Sequence, residues 1–534
     1  MAKAKGQNYI HGAAILTVGV VIMKILGAIY KIPIKNMIGD DGYSMFLSAY
    51  NVYNVFLTLA TAGLPIALSR LISEANTQGR PMQARRTFSV AWWTFFALGL
   101  ISSLIMFLFP DTLAGWLHNP DAAKSIWALS PAVLLVCLTS AYRGYCQGFE
   151  NMIPTTVGQV LEVLVKVVVG LLLAWYLLHI GQDKPTASAG AIFGVTAGSL
   201  AALVYMWTVK KRQYPYEPVA EPDVPENSGR ILKKLLSIGI PIALGSSVLS
   251  FMNLLDSGQC MARLQNAAGF SYEDSQVLYG VYGAAQTLFN LPAAFITPLS
   301  ISVVPAIAAA LTRGDRLGAD KISEDSLRIA TVLCLPMGVG LSVLASPIMH
   351  VIYPDSHEAG GMLLCLLGIA SFFVCFVLIQ NAILQASGRE RYPVYSMIVG
   401  SIVKVAVNWF LVGMPSVNIF GAPIGTLCSY FSMAAMNHIF MCRSTEHKPR
   451  LSVIIPRPAL VCAVMGAVAF GGYRLCELVI GTGSRLHTVL CLGISIFAAV
   501  AVYLIATVAL RTITAEDMKL IPKGDKLAKL LHMR

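Results

Sequence analysis

Residues 142–179 read YRGYCQGFENMIPTTVGQVLEVLVKVVVGLLLAWYLLH, and the apolar run that fills 154–179 decides the fold. About 20 apolar residues in a helix rise roughly 30 Å, the thickness of a bilayer's hydrocarbon core. Only helices and closed barrels satisfy every backbone donor and acceptor in lipid, and a barrel strand would be about ten residues long with alternating polarity. This run is longer than that and does not alternate, so it predicts a membrane-spanning helix. Similar stretches lie on both sides of it: 10–30, 43–68, 87–109 and 126–146 before, and 189–209, 235–256, 276–311, 327–350, 362–384, 394–413, 419–441, 458–480 and 487–510 after. The expected fold class is an all-α integral membrane protein with fourteen transmembrane helices. Of the 534 residues 56% are hydrophobic and only 12% charged, about half the charged share of a soluble domain. Little chain is left over for a soluble catalytic domain.

The net charge of +12 invites a nucleic-acid reading, but the placement of the charges opposes it. Taking alternate connections between spans, one set with the two tails holds 27 Lys and Arg. The other set holds six: Lys31, Lys35, Lys124, Lys184, Arg263 and Arg485. Basic loops stay on the cytoplasmic side, so both termini are expected in the cytoplasm of a plasma-membrane protein, with no nucleic-acid partner. Attraction to anionic membrane lipids follows from the same surplus. The first stretch contains Lys24 and runs to Ile32-Pro33 without a small-residue cleavage site, so it reads as a retained span.

The 142–179 segment has an echo. Gln147, Gly148, Pro154 and Lys166 find counterparts in Gln385, Gly388, Pro393 and Lys404, with 19 residues from Gln to Lys in both. Gly190-Ala191-x-x-Gly194 matches Gly421-Ala422-x-x-Gly425, and Leu64-Pro65-Ile66-Ala67 matches Val304-Pro305-Ala306-Ile307. These matches, in order on either side of the Pro-rich, charged stretch 210–234, predict an internal duplication. The expected organisation is an N-lobe of six helices (1–209), a cytoplasmic linker (210–234), a C-lobe of six (235–441), and two further helices with a tail (442–534). Six spans per half make the repeat parallel, with a pseudo-twofold axis along the membrane normal and a central cavity for alternating access.

Charges inside spans are costly, about 2.5–3.5 kcal/mol each near a helix centre, and demand a partner or a use. Glu162 and Lys166 stand i,i+4 on one helix, a favourable order for an ion pair. Arg474 and Glu477 are i,i+3, and Arg328 starts its span. Lys24, Lys404 and Arg143 have no acidic neighbour in sequence. Lys404 reads either as a helix-bridging lysine or as a cavity cation, and Arg143, near a span end, either as snorkelling to the interface or as part of the cavity. An excess of cations in a lipid-enclosed cavity suits an anionic cargo such as a diphosphate. Asn51, Asn54, Gln147, Gln159, Gln286, Asn290, Gln380, Asn381 and Asn408 could contact sugars, although such residues also bridge membrane helices. There is no Gly-rich phosphate loop, no Cys-x-x-Cys pair and no histidine cluster among the eleven Cys and nine His. No cofactor, metal or disulfide framework is expected.

Tyr142-Arg143-Gly144-Tyr145-Cys146-Gln147-Gly148, followed by Asn151-Met152, Pro154, Gln159 to Glu162 and Lys166, resembles the stage V sporulation protein B-like branch of the polysaccharide transporters. Leu26-Gly27, Ile38-Gly39, Gly63-Leu64-Pro65 and Ser69 to Glu74 carry the same resemblance. That branch belongs to the multidrug/oligosaccharidyl-lipid/polysaccharide exporter superfamily and is related to the MurJ lipid II flippases. The resemblance implies two six-helix lobes around a V-shaped cavity. It also implies transfer of undecaprenyl-diphosphate-linked saccharides to the outer leaflet, a lipid-tail groove on 458–510, and possible contact with cell-wall synthesis machinery. The family's cavity cation on the first helix maps to Lys24, and the next cationic position maps to Tyr30, beside Lys31. Two further family positions depart: Leu57 stands for an arginine, and Gln286, Thr287 and Asn290 for an acid–arginine cluster. On the eleventh helix Lys404 and Asn408 occupy the region of a sodium-binding carboxylate found in some relatives.

The expected substrate contacts are therefore Lys24, Lys31, Arg143, Glu162, Lys166, Gln286, Asn290, Lys404 and Asn408, with no catalytic residue. A drug or cation antiporter of the same fold would need a proton- or sodium-loading carboxylate, for which Glu162 and Asp256 are the candidates. A polyprenyl-sugar enzyme would need an acid cluster in a large loop, which the sequence lacks. A scaffold role for wall synthesis is a third alternative.

Overall fold

The computed structural model describes residues 9–213, 223–443, 448–481 and 484–510, without the side chains of 9–18, 20, 21, 24, 25, 249 and 508. Every regular element among them is helical. In order these are α1 (Tyr9–Thr61), α2 (Leu64–Thr77), α3 (Pro81–Leu108), α4 (Pro110–Trp116), α5 (Ala123–Gly148), α6 (Ile153–His179), α7 (Lys184–Gln213), α8 (Ser228–Asn266) and α9 (Tyr272–Phe289). They continue as α10 (Leu291–Thr312), α11 (Arg316–Val343), α12 (Ala345–Ile352), α13 (Ala359–Ala386), α14 (Arg391–Leu411), α15 (Gly421–Cys442), α16 (Leu451–Ile454), α17 (Pro456–Ile480) and α18 (Arg485–Ala509). Thirteen stretches of described chain are long and apolar enough to cross a membrane, and the protein is a multi-pass membrane protein.

The first of those stretches, Leu26–Thr77, is 52 residues long and does not run straight. Gly39 adopts φ 77°, ψ −177° inside α1, a backbone conformation that only glycine takes without strain. The chain folds back there. Lys31 Nζ lies 5.8 Å from the centroid of the Tyr50 ring, whereas an unbroken helix would separate the two residues by about 28 Å. Two ion pairs pin the turn: Lys35 Nζ to Asp40 Oδ1 at 2.8 Å, both nearly buried, and Lys184 Nζ to Asp41 Oδ2 at 2.8 Å. This corrects the expected end of the first span at residue 30 and the placing of Lys31 and Lys35 in an outer loop. Both lysines belong to the first limb of α1, which Pro33 does not interrupt.

The chain forms two compact units, residues 1–280 and 281–534. In the first, α5 is the central helix, packed by α1, α2, α3 and α7, with Ala132, Val133, Val136, Cys137 and Ala141 on its buried faces. Helix α6 leans on α7 and α1 and turns Val157, Leu164, Val168, Leu172 and Trp175 outward. These residues recur at helical spacing and form an apolar stripe suited to lipid. The first unit runs past residues 210–234, because α8 packs against α1, α2 and α3; Thr58 and Ser250 hydroxyls meet at 2.8 Å.

In the second unit, α13 is central, between α10, α11 and α15. Helices α17 and α18 pack on each other and on α11 and α12. Leu344, Met465, Ala469 and Ala499 form a small buried cluster there, and Tyr503 Oη donates to the Val332 carbonyl at 2.6 Å.

Each unit contains the same helix pairing. A Cβ on Gly194 of α7 would stand 2.5 Å from the Lys166 carbonyl oxygen of α6, and one on Gly425 of α15 would stand 3.4 Å from that of Lys404 on α14. Gly190 faces Leu173 and Gly421 faces Leu411, seven residues beyond each lysine. The Gly-Ala-x-x-Gly motif therefore serves one purpose twice: it lets one helix lie against the backbone of the lysine-bearing helix before it.

Candidate cationic cavity

A cavity of about 450 Å³ opens in the first unit, lined from α1, α2, α5, α6 and α7. Three charged side chains face it: Arg143 from α5, and Glu162 and Lys166 from α6. Gln147, Gln159, Ser140 and Thr155 add polar groups, and Tyr50, Tyr53 and Leu57 form the wall from the second limb of α1. The positioning follows from local sequence. Pro65 and Gly63 begin α2 beside the cavity, and Pro154 sets the first turn of α6. From that start, Gln159, Glu162, Val163 and Lys166 recur at three- and four-residue spacing, which places them on one face.

The charges pair differently from the i,i+4 expectation. Glu162 Oε2 accepts a hydrogen bond from Arg143 Nη2 at 2.6 Å, across two helices, and Oε1 accepts from Ser199 Oγ at 3.3 Å. The expected Glu162–Lys166 pair is therefore corrected. Glu162 has an arginine on the facing helix, whose planar fork suits a carboxylate better than a lysine one turn away. Arg143 likewise does not snorkel; its side chain is only 13% exposed.

Lys166 turns the other way. Its Nζ donates to Tyr50 Oη at 3.3 Å and lies 5.0 Å from the Tyr30 ring centroid and 4.9 Å from that of Tyr50. Lys31 approaches the same Tyr50 ring at 5.8 Å but is not part of the cavity wall. Among the described residues neither lysine has a carboxylate partner. Two ammonium groups thus flank one phenol, with cation–π contacts in place of ion pairs.

The remaining expected site residues are Lys24, Gln286, Asn290, Lys404 and Asn408. The backbone of Lys24 belongs to α1, but its side chain lies outside the described residues. Asn290 is exposed and donates to the Gln286 carbonyl at 2.7 Å, a local bond that closes the end of α9. In the second unit, Lys404 is half-buried on α14, and Asn408, one turn on, is fully buried, its Oδ1 lying against Gly425. Gln380 donates to the Ala434 carbonyl at 3.1 Å and Asn381 accepts from Asn437 at 2.8 Å, both bridging α13 to α15.

Sequence reasoning missed the tyrosines. Tyr43, Phe46 and Tyr50 stack with ring planes 8° apart at each step, and Tyr53 continues the row. The signal was present in the spacing 43, 46, 50, 53, which is one helix face. Tyr30 joins it through the α1 turn, and its hydroxyl donates to the Ala191 carbonyl at 2.6 Å.

Residues 10–311 match a family model described as polysaccharide biosynthesis protein, and residues 272–410 match one described as MatE. The chain is 26% identical to an uncharacterized membrane protein, YabM, of Bacillus subtilis, over 98% of this chain and 97% of the relative. It is 25% identical to stage V sporulation protein B of that organism, over 97% and 98%, and 24% identical to its lipid II flippase MurJ, over 89% of each. Among solved structures, a lipid II flippase MurJ in an inward closed conformation superposes with a TM-score of 0.67 at 13% identity, covering 93% of this chain and 99% of that one. An inward-facing multidrug resistance MATE family transporter of the MOP superfamily superposes with a TM-score of 0.65 at 15% identity, covering 80% and 97%. The fold is that of these transporters, as the sequence resemblance implied.

Proposed function

The chain belongs to the polysaccharide biosynthesis protein family, and we propose that it is an alternating-access flippase for a polyprenyl-diphosphate-linked saccharide, carried from the cytoplasmic to the outer leaflet. One observation carries this reading: Lys166 stands in a cavity wall within the span with its ammonium on two tyrosines and, among the described residues, paired with no carboxylate. An ammonium so placed is costly unless an anion comes to it. With Arg143 offset by Glu162, the three charges that line the cavity sum to one positive charge, and Lys31 stands behind Tyr50. At contact distance and an effective dielectric near 20, each cation attracts a phosphate charge by about 4 kcal/mol. The polar residues Gln147 and Gln159 and the faces of Tyr50 and Tyr53 offer a saccharide hydrogen bonds and flat apolar contact. The prenyl chain stays in lipid.

In this reading the two limbs of α1 cross the membrane separately, which gives fourteen crossings and places both termini in the cytoplasm with the basic loops. Lys24 and Lys404 would contribute further contacts to the headgroup during the cycle, whereas Asn408, buried against Gly425, would not. Outward movement of negative charge from an inside-negative cell draws on the membrane potential. A cation antiporter is disfavoured because Glu162, the acid in the cavity wall, is already held by Arg143.

The test is transfer of fluorescent lipid II across proteoliposomes containing the purified protein, with and without an imposed potential. Transfer accelerated by an inside-negative potential is expected. No transfer of lipid II or of any other diphosphate-linked saccharide, together with uptake of cationic dyes, would refute the reading.

A further inference from the structure

A cavity that receives an anion has no evident use for a carboxylate, yet Glu162 stands in its wall. It touches Arg143 through one short bond, from Nη2 at 2.6 Å, rather than the two parallel bonds that guanidinium and carboxylate can make. Arg143 Nε is buried without a hydrogen-bond partner among the described residues. The guanidinium is held but not saturated, and a phosphate oxygen pair could satisfy what Glu162 leaves open.

The internal repeat indicates that the pair is not a requirement of the scaffold. The register that sets Gln147 against Gln385 and Lys166 against Lys404 sets Arg143 against Asn381 and Glu162 against Gly400. The second copy keeps the lysine and has neither member of the pair. Its helices still pack: Gly400 lies against Met433 of α15, and Asn381 is bonded to Asn437. Glu162 also has a second anchor available, since Ser199 Oγ already reaches its other oxygen at 3.3 Å.

We propose that Glu162 is a resident competitor for the cargo's phosphate, holding Arg143 while the cavity is empty and yielding it when cargo enters. This deepens the anionic-cargo reading and rests on it. On entry, the phosphate takes the guanidinium, and the Glu162 carboxylate swings toward Ser199, leaving Lys166 to the phosphate. On release, Glu162 recaptures Arg143. A wall without Glu162 would carry two net positive charges; with it the wall carries one throughout, and the cargo leaves because a carboxylate is at hand to take the guanidinium back.

The experiment measures equilibrium binding to the full-length protein in detergent, with undecaprenyl diphosphate as the lipid-borne probe and inorganic diphosphate as the headgroup alone. Glu162→Gln is expected to bind both probes about tenfold more tightly than the wild type, a step of 1.4 kcal/mol, while flipping in vesicles slows. Arg143→Gln is expected to bind more weakly, and the double variant no more tightly than Arg143→Gln alone, because the competitor has lost its target. Weaker or equal binding by Glu162→Gln overturns the proposal and leaves Glu162 as a positioning residue for Arg143. Should Glu162→Gln fail to give monodisperse protein, Glu162→Asp, with its carboxylate drawn back by one carbon, is expected to bind about threefold more tightly, and weaker or equal binding overturns the proposal equally. A wild type that binds lipid and inorganic diphosphate equally would assign the site to the free anion. A wild type that binds neither overturns the cargo reading and this inference with it.

Discussion

Replacing Lys166 with methionine removes a charge without stranding an opposite one, and this separates a binding role from a structural one. The ammonium donates to Tyr50 Oη at 3.3 Å and lies over two rings at 5.0 and 4.9 Å. Those contacts together are worth roughly 2.5–4 kcal/mol. Against them stands the cost of keeping a lysine within a span, about 2.5–3.5 kcal/mol near a helix centre. The two nearly cancel, so the stability of Lys166→Met should lie close to that of the wild type. A charged hydrogen bond to phosphate is worth about 1.5–3 kcal/mol, so affinity for undecaprenyl diphosphate should fall roughly 10- to 150-fold. The control is Arg143→Met, which abandons a carboxylate that is 19% exposed. Losing that partner should cost about 1–3 kcal/mol, visible as a lowered melting temperature in detergent. The assay pairs thermal unfolding with probe binding for both variants. Unchanged affinity and flipping in Lys166→Met would refute the argument. A melting temperature lowered as far as in Arg143→Met would show that the lysine holds the fold.

Two further outcomes follow from features outside the cavity. Gly39→Ala puts a side chain at φ 77°, where its Cβ would also lie 2.9 Å from Asp41 Oδ1; a stability loss of about 1–3 kcal/mol is expected, and an unchanged melting temperature would refute the turn's dependence on glycine. Asp183, in the α6–α7 connection, accepts from Lys124 Nζ at 2.9 Å and Thr186 N at 3.3 Å, and hydrogen bonds from Thr186 and Lys124 hold its carboxyl below the ordinary carboxylate value. A lowered folded-state pKa stabilises above the unfolded value, and that contribution disappears as pH falls through the folded one. Wild type should accordingly melt above Asp183→Asn at neutral pH, with the gap closing below about pH 4; a gap that widens in acid would contradict the sign.

What was legible in the sequence follows from range. Apolar length and composition are local properties, so the apolar stretches could be found, but not every helix end: 43–68 crosses the break between α1 and α2, and 327–350 that between α11 and α12. The boundary at residue 30 failed because Lys31 and Lys35 look like loop residues until their partners are known. Lys35 is neutralised by Asp40 across the Gly39 turn, and Lys31 rests over Tyr50, whose nearness depends on the chain folding back. Glycine at 39 was visible; its positive φ was not. Motif spacing pointed to helix pairs built alike, because the same small residues meet a lysine-bearing helix in each half: the structure places Gly194 and Gly425 against matching backbones.

The cavity charges were harder because the choice among partners is tertiary. An i,i+4 pair on one helix contributes only about 0.2–0.5 kcal/mol, so a fixed arginine fork on a neighbouring helix outcompetes it, and Glu162 goes to Arg143. That displacement has a chemical consequence. Had Glu162 taken Lys166, the cavity would present an arginine and no free ammonium; with Glu162 on Arg143, it presents a lysine cushioned by tyrosine faces. Tyrosine lowers the cost of burying the ammonium without cancelling its charge, which a carboxylate would do. Tyr50, packed in the row with Tyr43, Phe46 and Tyr53, and Tyr30, brought beside it by the Gly39 turn, thus make the Lys166 cation tolerable in the span and, in the proposed reading, leave it available to an anion.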